Sequence, residues 1–211
     1  MMMQEKVRRI FMSIVGVIVT GFCVGGLQKA NLGVDPFTCF VTGIANLLHS
    51  TYSVFYLVIT AMLLLFVLLI RRHYIGLATL LNLLLTGVSA DFSYQVIDKI
   101  IHQPTFIVRV VLMIGSIIVM CFSASLYFTA DLGVSGYDAV ALILANKFTC
   151  VPFRYWRILT DGFCVLVGFT FAVNIGLGTV ITAFFMGPFI QFFTIHIAEP
   201  FRYQNKQILS N

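Results

Sequence analysis

The chain has 211 residues, of which 60% are hydrophobic and only 10% charged, with a mean hydropathy of +1.00 and a formal net charge of +5. Soluble domains carry roughly 25% charged residues. That gap excludes a soluble enzyme, a secreted module and a nucleic-acid binder, since the thirteen Lys and Arg side chains sit at the ends of apolar runs rather than on one exposed face.

The apolar runs come in order. Residues 10–27 follow Lys6, Arg8 and Arg9 and contain no Asp, Glu, Lys or Arg; the same holds for 52–70, 110–130 and 162–198. Runs of about 18 or more apolar residues read as transmembrane helices. The expected long spans are 10–31, 52–71, 75–97, 108–131, 154–173 and 176–197. Segments 36–49 and 136–149 are shorter. Fourteen residues reach about 21 Å, less than a hydrocarbon core of about 30 Å. The tail, 200–211, is polar. Cys23, Cys39, Cys121, Cys150 and Cys164 form no C-x-x-C pair and read as small buried hydrophobes.

The chain matches itself at an offset of 100 residues. Ala30-Asn31-Leu32-Gly33-Val34 faces Ala130-Asp131-Leu132-Gly133-Val134, Gly76-Leu77-Ala78-Thr79 faces Gly176-Leu177-Gly178-Thr179, and Arg9 faces Arg109. Roughly 19 positions in about 90 are identical without a gap, which points to a duplicated architecture. The expected organisation is therefore a first repeat, 1–100, a second, 101–199, and the tail. It also argues that the N-terminal run is a retained helix, because it has a counterpart at Val110–Tyr127. The fold class expected is all-α: a polytopic transmembrane bundle of two repeats, each with three long spans and one short helix. Three crossings per half make the repeats inverted, four make them parallel. With the N-terminus cytoplasmic, the six-span arrangement leaves Lys29, Lys99 and Arg109 outside, and the eight-span one leaves Lys29, Arg71 and Arg72, so charge bias does not choose. The shortness of 36–49 and the basic turn Arg71-Arg72-His73 favour six.

Each half carries a corner. Gly33 and Gly133 read as left-handed C-caps. Asp35-Pro36 reads as N-cap plus N1 proline, and Ser135-Gly136-Tyr137-Asp138 as a capping box. Backbone groups freed at such breaks cannot face lipid, so these corners are either capped surface turns or a discontinuous-helix binding site. Asp131 lies in a helix's last turn, where the macrodipole disfavours a carboxylate, and is a candidate for a proton or cation role; its counterpart is Asn31. Asp91, with counterpart Gln191, is an intramembrane carboxylate or an interfacial one. Thr79, Asn82, Thr86, Ser89 and Ser93 share one helical stripe, largely lost in the second half apart from Thr179 and Thr182. Arg157 and Asp161, at i and i+4, read as a snorkelling interfacial pair alongside Arg154. Gly21 and Gly25 form a G-x-x-x-G expected to pack the two repeats together against Cys121 and Ser125. Asn46 and Asn146 are caps or ligand contacts.

His49, His73, His102 and His196 show no metal spacing, and no phosphate loop is present, so the expectation is a non-enzyme without metal or cofactor. The duplicated L-G-V corner and the Gly176-Leu177-Gly178-Thr179…Gly187-Pro188-Phe189-Ile190 block resemble the YczE/YitT-like family of bacterial integral membrane proteins over residues 8–197. The resemblance implies a multi-pass inner-membrane protein and supplies no catalytic residues. The functional expectation is a small secondary transporter or permease, with Asn31, Gly33, Asp35, Asp131, Gly133, Ser135, Asp138, Asp91, Gln191, Thr79 and Thr179 as candidate ligand positions. The alternatives are a substrate-capturing subunit of an ATP-driven importer and a non-transporting scaffold. Partners expected are the lipid bilayer and a small molecule or ion; self-association is compatible with the sequence.

Overall fold

The computed structural model describes residues 2–71, 74–148, 153–171, 173 and 175–203. Within them the chain is all-α. The helices are α1 (Met2–Ala30), α2 (Pro36–Leu47), α3 (Tyr52–Ile70), α4 (Leu77–Ile100), α5 (Phe106–Ala130), α6 (Gly136–Lys147), α7 (Phe153–Thr170) and α8 (Leu177–Phe193), followed by a π-helical turn (Thr194–Ala198) and α9 (Glu199–Tyr203). Five of them are long and apolar enough to cross a membrane. The sixth long helix, α7, carries Arg154, Arg157 and Asp161 within 18 residues, which lowers its mean hydropathy although Arg157 and Asp161 face inward.

Contacts between helices fix their directions. Gly16 of α1 packs on Ser123 and Tyr127 of α5, and Gly26 packs on Ser116, so α1 and α5 are antiparallel. Gly21 meets Thr86 and Ser89 while Gly25 meets Ala90 and Ser93, so α4 runs parallel to α1. Met113 lies by Gly178 and Phe122 by Phe193, so α8 runs parallel to α5. The two halves therefore point in opposite directions. Arg71, after α3, and Tyr74, before α4, lie on the face that holds Arg9, Asp131 and Phe201. That follows because Arg9 Nε donates to Ala130 O at 2.6 Å and Val134 N to Tyr74 O at 3.1 Å. These directions are the ones the six-span expectation requires, with five helices long and apolar enough to cross; the basic pair's Arg72 and the adjacent His73 lie outside the described residues, as do Cys150 and the side chain of Arg154.

Small residues explain the tightness of the centre. A Cβ on Gly21 would come within 2.6 Å of Ser89 Cβ and 2.8 Å of Thr86 O. The G-x-x-x-G thus joins α1 to α4 inside the first half, not to Cys121 and Ser125 of α5 as the sequence suggested. It is Gly16 and Gly26 that seat α5. The outer surface is apolar: Leu69, Ile107, Leu166, Phe169 and Phe185 are all exposed, a belt with lipid as its natural solvent. Cys23, Cys39, Cys121 and Cys164 are buried and unbridged.

Candidate functional site

The corners dock across the halves. Leu32 O accepts from Gly178 N at 2.9 Å, and Leu132 O accepts from Ala78 N at 2.9 Å. Each corner's freed carbonyl is thereby satisfied by the start of the last long helix of the other half, α8 for one and α4 for the other. Gly33 has φ +109° and Gly133 φ +105°. A Cβ on Gly33 would lie 2.8 Å from Gly176 N, so both conformation and space demand glycine here. Thr79 locks one corner, with its Oγ1 donating to Val134 O at 2.7 Å and accepting from Gly76 N at 3.1 Å. Thr179 is buried at the other corner.

The left-handed cap itself is not glycine, contrary to the sequence reading. Asn31 and Asp131 take φ +50° and +52°, a region that Asn and Asp tolerate best among side chains. Asp131 also has its compensation. It is 66% exposed and lies 3.4 Å from both Arg9 and Arg202, so it belongs to a surface cluster on the N-terminal face rather than to a membrane-depth ion site. Asp91 is half-buried and Gln191 exposed; neither lines the central cavity.

From each corner the chain turns back inward, and α2 and α6 begin at the core. Phe37 and Tyr137, one residue into each short helix, stack with ring centroids 4.7 Å apart. Around them lies a cavity of about 70 Å³, walled by residues of α1 to α8, including Asp35, Tyr56, Thr86, Ser135, Asp138 and Arg157. Asp35 caps α2, accepting from Thr38 N at 3.0 Å. Ser135 caps α6, accepting from Asp138 N at 3.1 Å. The reciprocal arm of the capping box is redirected. Asp138 accepts from the Ser135 hydroxyl at 2.6 Å and from the hydroxyl of Tyr127, and it pairs with Arg157 Nη1.

Arg157 and Asp161 do pair, at 3.4 Å through Nε, but in the interior. Asp138 and Asp161 side chains are 6% and 3% exposed. Tyr137 donates its hydroxyl to Asp161 and places its ring 4.6 Å from the Arg157 guanidinium carbon. The interfacial snorkelling expected for this pair is thus overturned: the side chains point into the bundle, where three carboxylate and phenol partners hold the guanidinium. The signal was available, since charged residues inside an apolar helix face the bundle interior by default. Tyr56, which donates to Asn82 Oδ1 at 2.7 Å, gave no signal beyond being an aromatic in an apolar run. The α4 stripe divides its tasks: Thr79 holds a corner, Asn82 and Thr86 line the cavity, Ser89 and Ser93 pack against α1 glycines.

Two wider recesses flank the chamber. One, about 530 Å³, includes Tyr74, Gly76, Phe128, Asp131 and Leu142 on the N-terminal face. The other, about 340 Å³, includes Gln28, Asn31, Asn46, Tyr52 and Tyr94 towards the opposite face. Phe128 lines both the chamber and the first recess, and Tyr52 both the chamber and the second. Asn146 donates to the Tyr74 hydroxyl. No group of three metal-ligating His, Cys, Asp or Glu side chains occurs among the described residues.

An apolar multi-helix bundle with an exposed apolar belt and an ion-pair network buried among its helices is an integral, multi-pass membrane protein. The chain belongs to the family of unknown function DUF6198, which it matches over residues 7–195. It is 23% identical over 192 residues to the Bacillus subtilis "uncharacterized membrane protein YczE", covering 90% of this chain and 87% of that one. It is 27% identical over 185 residues to an uncharacterized protein of Haemophilus influenzae, covering 86% and 81%. The family match and the Bacillus relative agree with the YczE-like resemblance seen in the corners. No solved structure matches.

Proposed function

We propose that this protein is a small secondary transporter of the bacterial inner membrane, with a cytoplasmic N-terminus, built from two copies of one bundle related by inversion. The observation that carries the reading is a central cavity lined by the first turns of both short helices, Asp35 from one and Ser135 and Asp138 from the other. Discontinuous helices meeting at mid-depth between inverted halves are the architecture of many such carriers. Buried polar groups at that depth are costly in lipid and are retained for function. The recesses on either side, each sharing one aromatic lining residue with the chamber, suggest two routes, and rocking one half against the other would open them in turn. A scaffold requires none of this.

The test needs no knowledge of the cargo. Ala124 lines the chamber and is buried. An Ala124→Cys variant, in a background freed of the native cysteines, is exposed to an impermeant cationic thiol reagent from each side of oriented vesicles. A carrier exposes this position to both sides in turn. Protection from both sides, under every salt and pH tried, while surface cysteines at Ser50 and Arg71 react, would reject transport.

A further inference from the structure

The chamber's charges do not balance. Arg157 is shared by Asp138 and Asp161, while Asp35 makes no ion pair among the described residues. Its Oδ2 caps α2, and its Oδ1 is buried with no hydrogen-bond partner. At the 100-residue offset the positions of Arg157 and Asp161 are Leu57 and Ala61. The first half thus brings a carboxylate to the chamber and no cation to meet it.

Two further oxygens of this chamber share the condition, as the Oγ1 atoms of Thr42, Thr129 and Thr179 do elsewhere. Thr60 on α3 and Thr86 on α4 are 1% and 3% exposed, line the same chamber, and their Oγ1 atoms make no close hydrogen bond, both lying beside the Tyr56 hydroxyl. A threonine within a helix ordinarily bonds back to a carbonyl three or four residues earlier. Thr20, Thr160 and Thr182 do so; Thr60 and Thr86 do not. The lone pairs of these two hydroxyls and of Asp35 Oδ1 are left without a close donor in one chamber. Hard cations are held by such oxygen sets, whereas soft metals seek thiolate and imidazole.

We infer that the chamber holds one alkali cation, at Asp35 with the hydroxyls of Thr60 and Thr86 as further ligands, doing in the first half what Arg157 does in the second. This deepens the transport reading by naming the ion of the same chamber. A proton on Asp35 satisfies one oxygen and leaves both hydroxyls unmatched. The space suits an ion better than an organic ammonium, because about 70 Å³ holds an ion with a few waters, against the roughly 300–1,000 Å³ of ligand pockets.

The experiment is equilibrium binding of ²²Na⁺ to the purified full-length protein in detergent, with N-methylglucamine as the inert cation and unlabelled Na⁺, K⁺ or Rb⁺ as competitors. The expected result is saturable binding of one ion per chain. Asp35→Asn, which keeps the helix cap, weakens it by about tenfold or more, and Thr60→Val and Thr86→Val each by roughly three- to tenfold, as loss of charged and neutral oxygen ligands implies. Asp131→Asn leaves it unchanged. Helix content and size-exclusion profile show that each variant is folded. Absence of saturable alkali-ion binding, or wild-type affinity in Asp35→Asn, overturns the site. Ion binding with Ala124→Cys shielded from both sides would refute transport and leave the site standing. Two-sided labelling without ion binding would do the reverse.

Discussion

Replacing Arg157 by leucine, the residue at the equivalent position of the first half, puts the buried charge network to a quantitative test. The guanidinium serves two carboxylates that are both nearly inaccessible to solvent, and its removal strands both. Breaking a buried pair by deleting one partner costs about 3–5 kcal/mol, because an unpaired charge remains in a poorly polarisable interior. That is a large part of the roughly 5–15 kcal/mol that separates folded from unfolded protein. Neutralising the carboxylates as well should recover most of the loss. Tyr127 and Tyr137 still have amide oxygens to donate to, so Arg157→Leu/Asp138→Asn/Asp161→Asn should lie within about 2 kcal/mol of the parent. Unfolding in mixed micelles by an anionic detergent, followed by circular dichroism, measures the series. If the single variant is as stable as the parent, or the triple no better than the single, the guanidinium is not what keeps two buried carboxylates tolerable.

Four other outcomes follow from the geometry. Gly33→Ala and Gly133→Ala, forced into positive φ and against the opposite half, should each lose about 1–3 kcal/mol in the same unfolding assay, whereas Gly115→Ala, with open space around it, should not. Gly25→Val, whose branches would enter the Ala90–Tyr94 backbone of α4, should cost about 1–3 kcal/mol through overpacking. A single cysteine at Arg71 should react with impermeant reagent from the same side as one at Arg8; reaction from the opposite side would contradict the helix directions. Phe128→Ala, by removing a ring that lines both chamber and N-terminal recess, should speed modification of Ala124→Cys from that side at least several-fold without changing the rate from the other.

How far the sequence reached depends on the kind of force involved. Span lengths and caps are local, so the helix order, the shortness of α2 and α6, and the N-caps Asp35 and Ser135 were all readable from periodicity and residue type. Directions were not. Charge counting left six and eight crossings tied, and only packing of Gly16 and Gly26 on α5 makes the halves antiparallel. Asp131 looked like a violation because its partners, Arg9 and Arg202, are distant in sequence. Arg157 and Asp161 were read as interfacial because position along a helix says little about depth when the helix start is uncertain. The chamber draws on α1 to α8 together, and no linear pattern reports a surface assembled from so many segments.

The exchange of hydrogen bonds between the corners and the starts of α4 and α8 bears on how the chain is made. When residues 74–78 leave the ribosome, the carbonyl they are to receive, on Leu132, has not been synthesised. At about 5–20 residues per second the wait is a few seconds. Leu32 waits longer still for Gly178. Biogenesis must therefore shelter a half-built bundle with open backbone groups inside lipid, and the final closure is a clasp between early and late segments. Two separately expressed halves would each lack the other's latch, yet co-expressed they have complementary ends with which to rejoin.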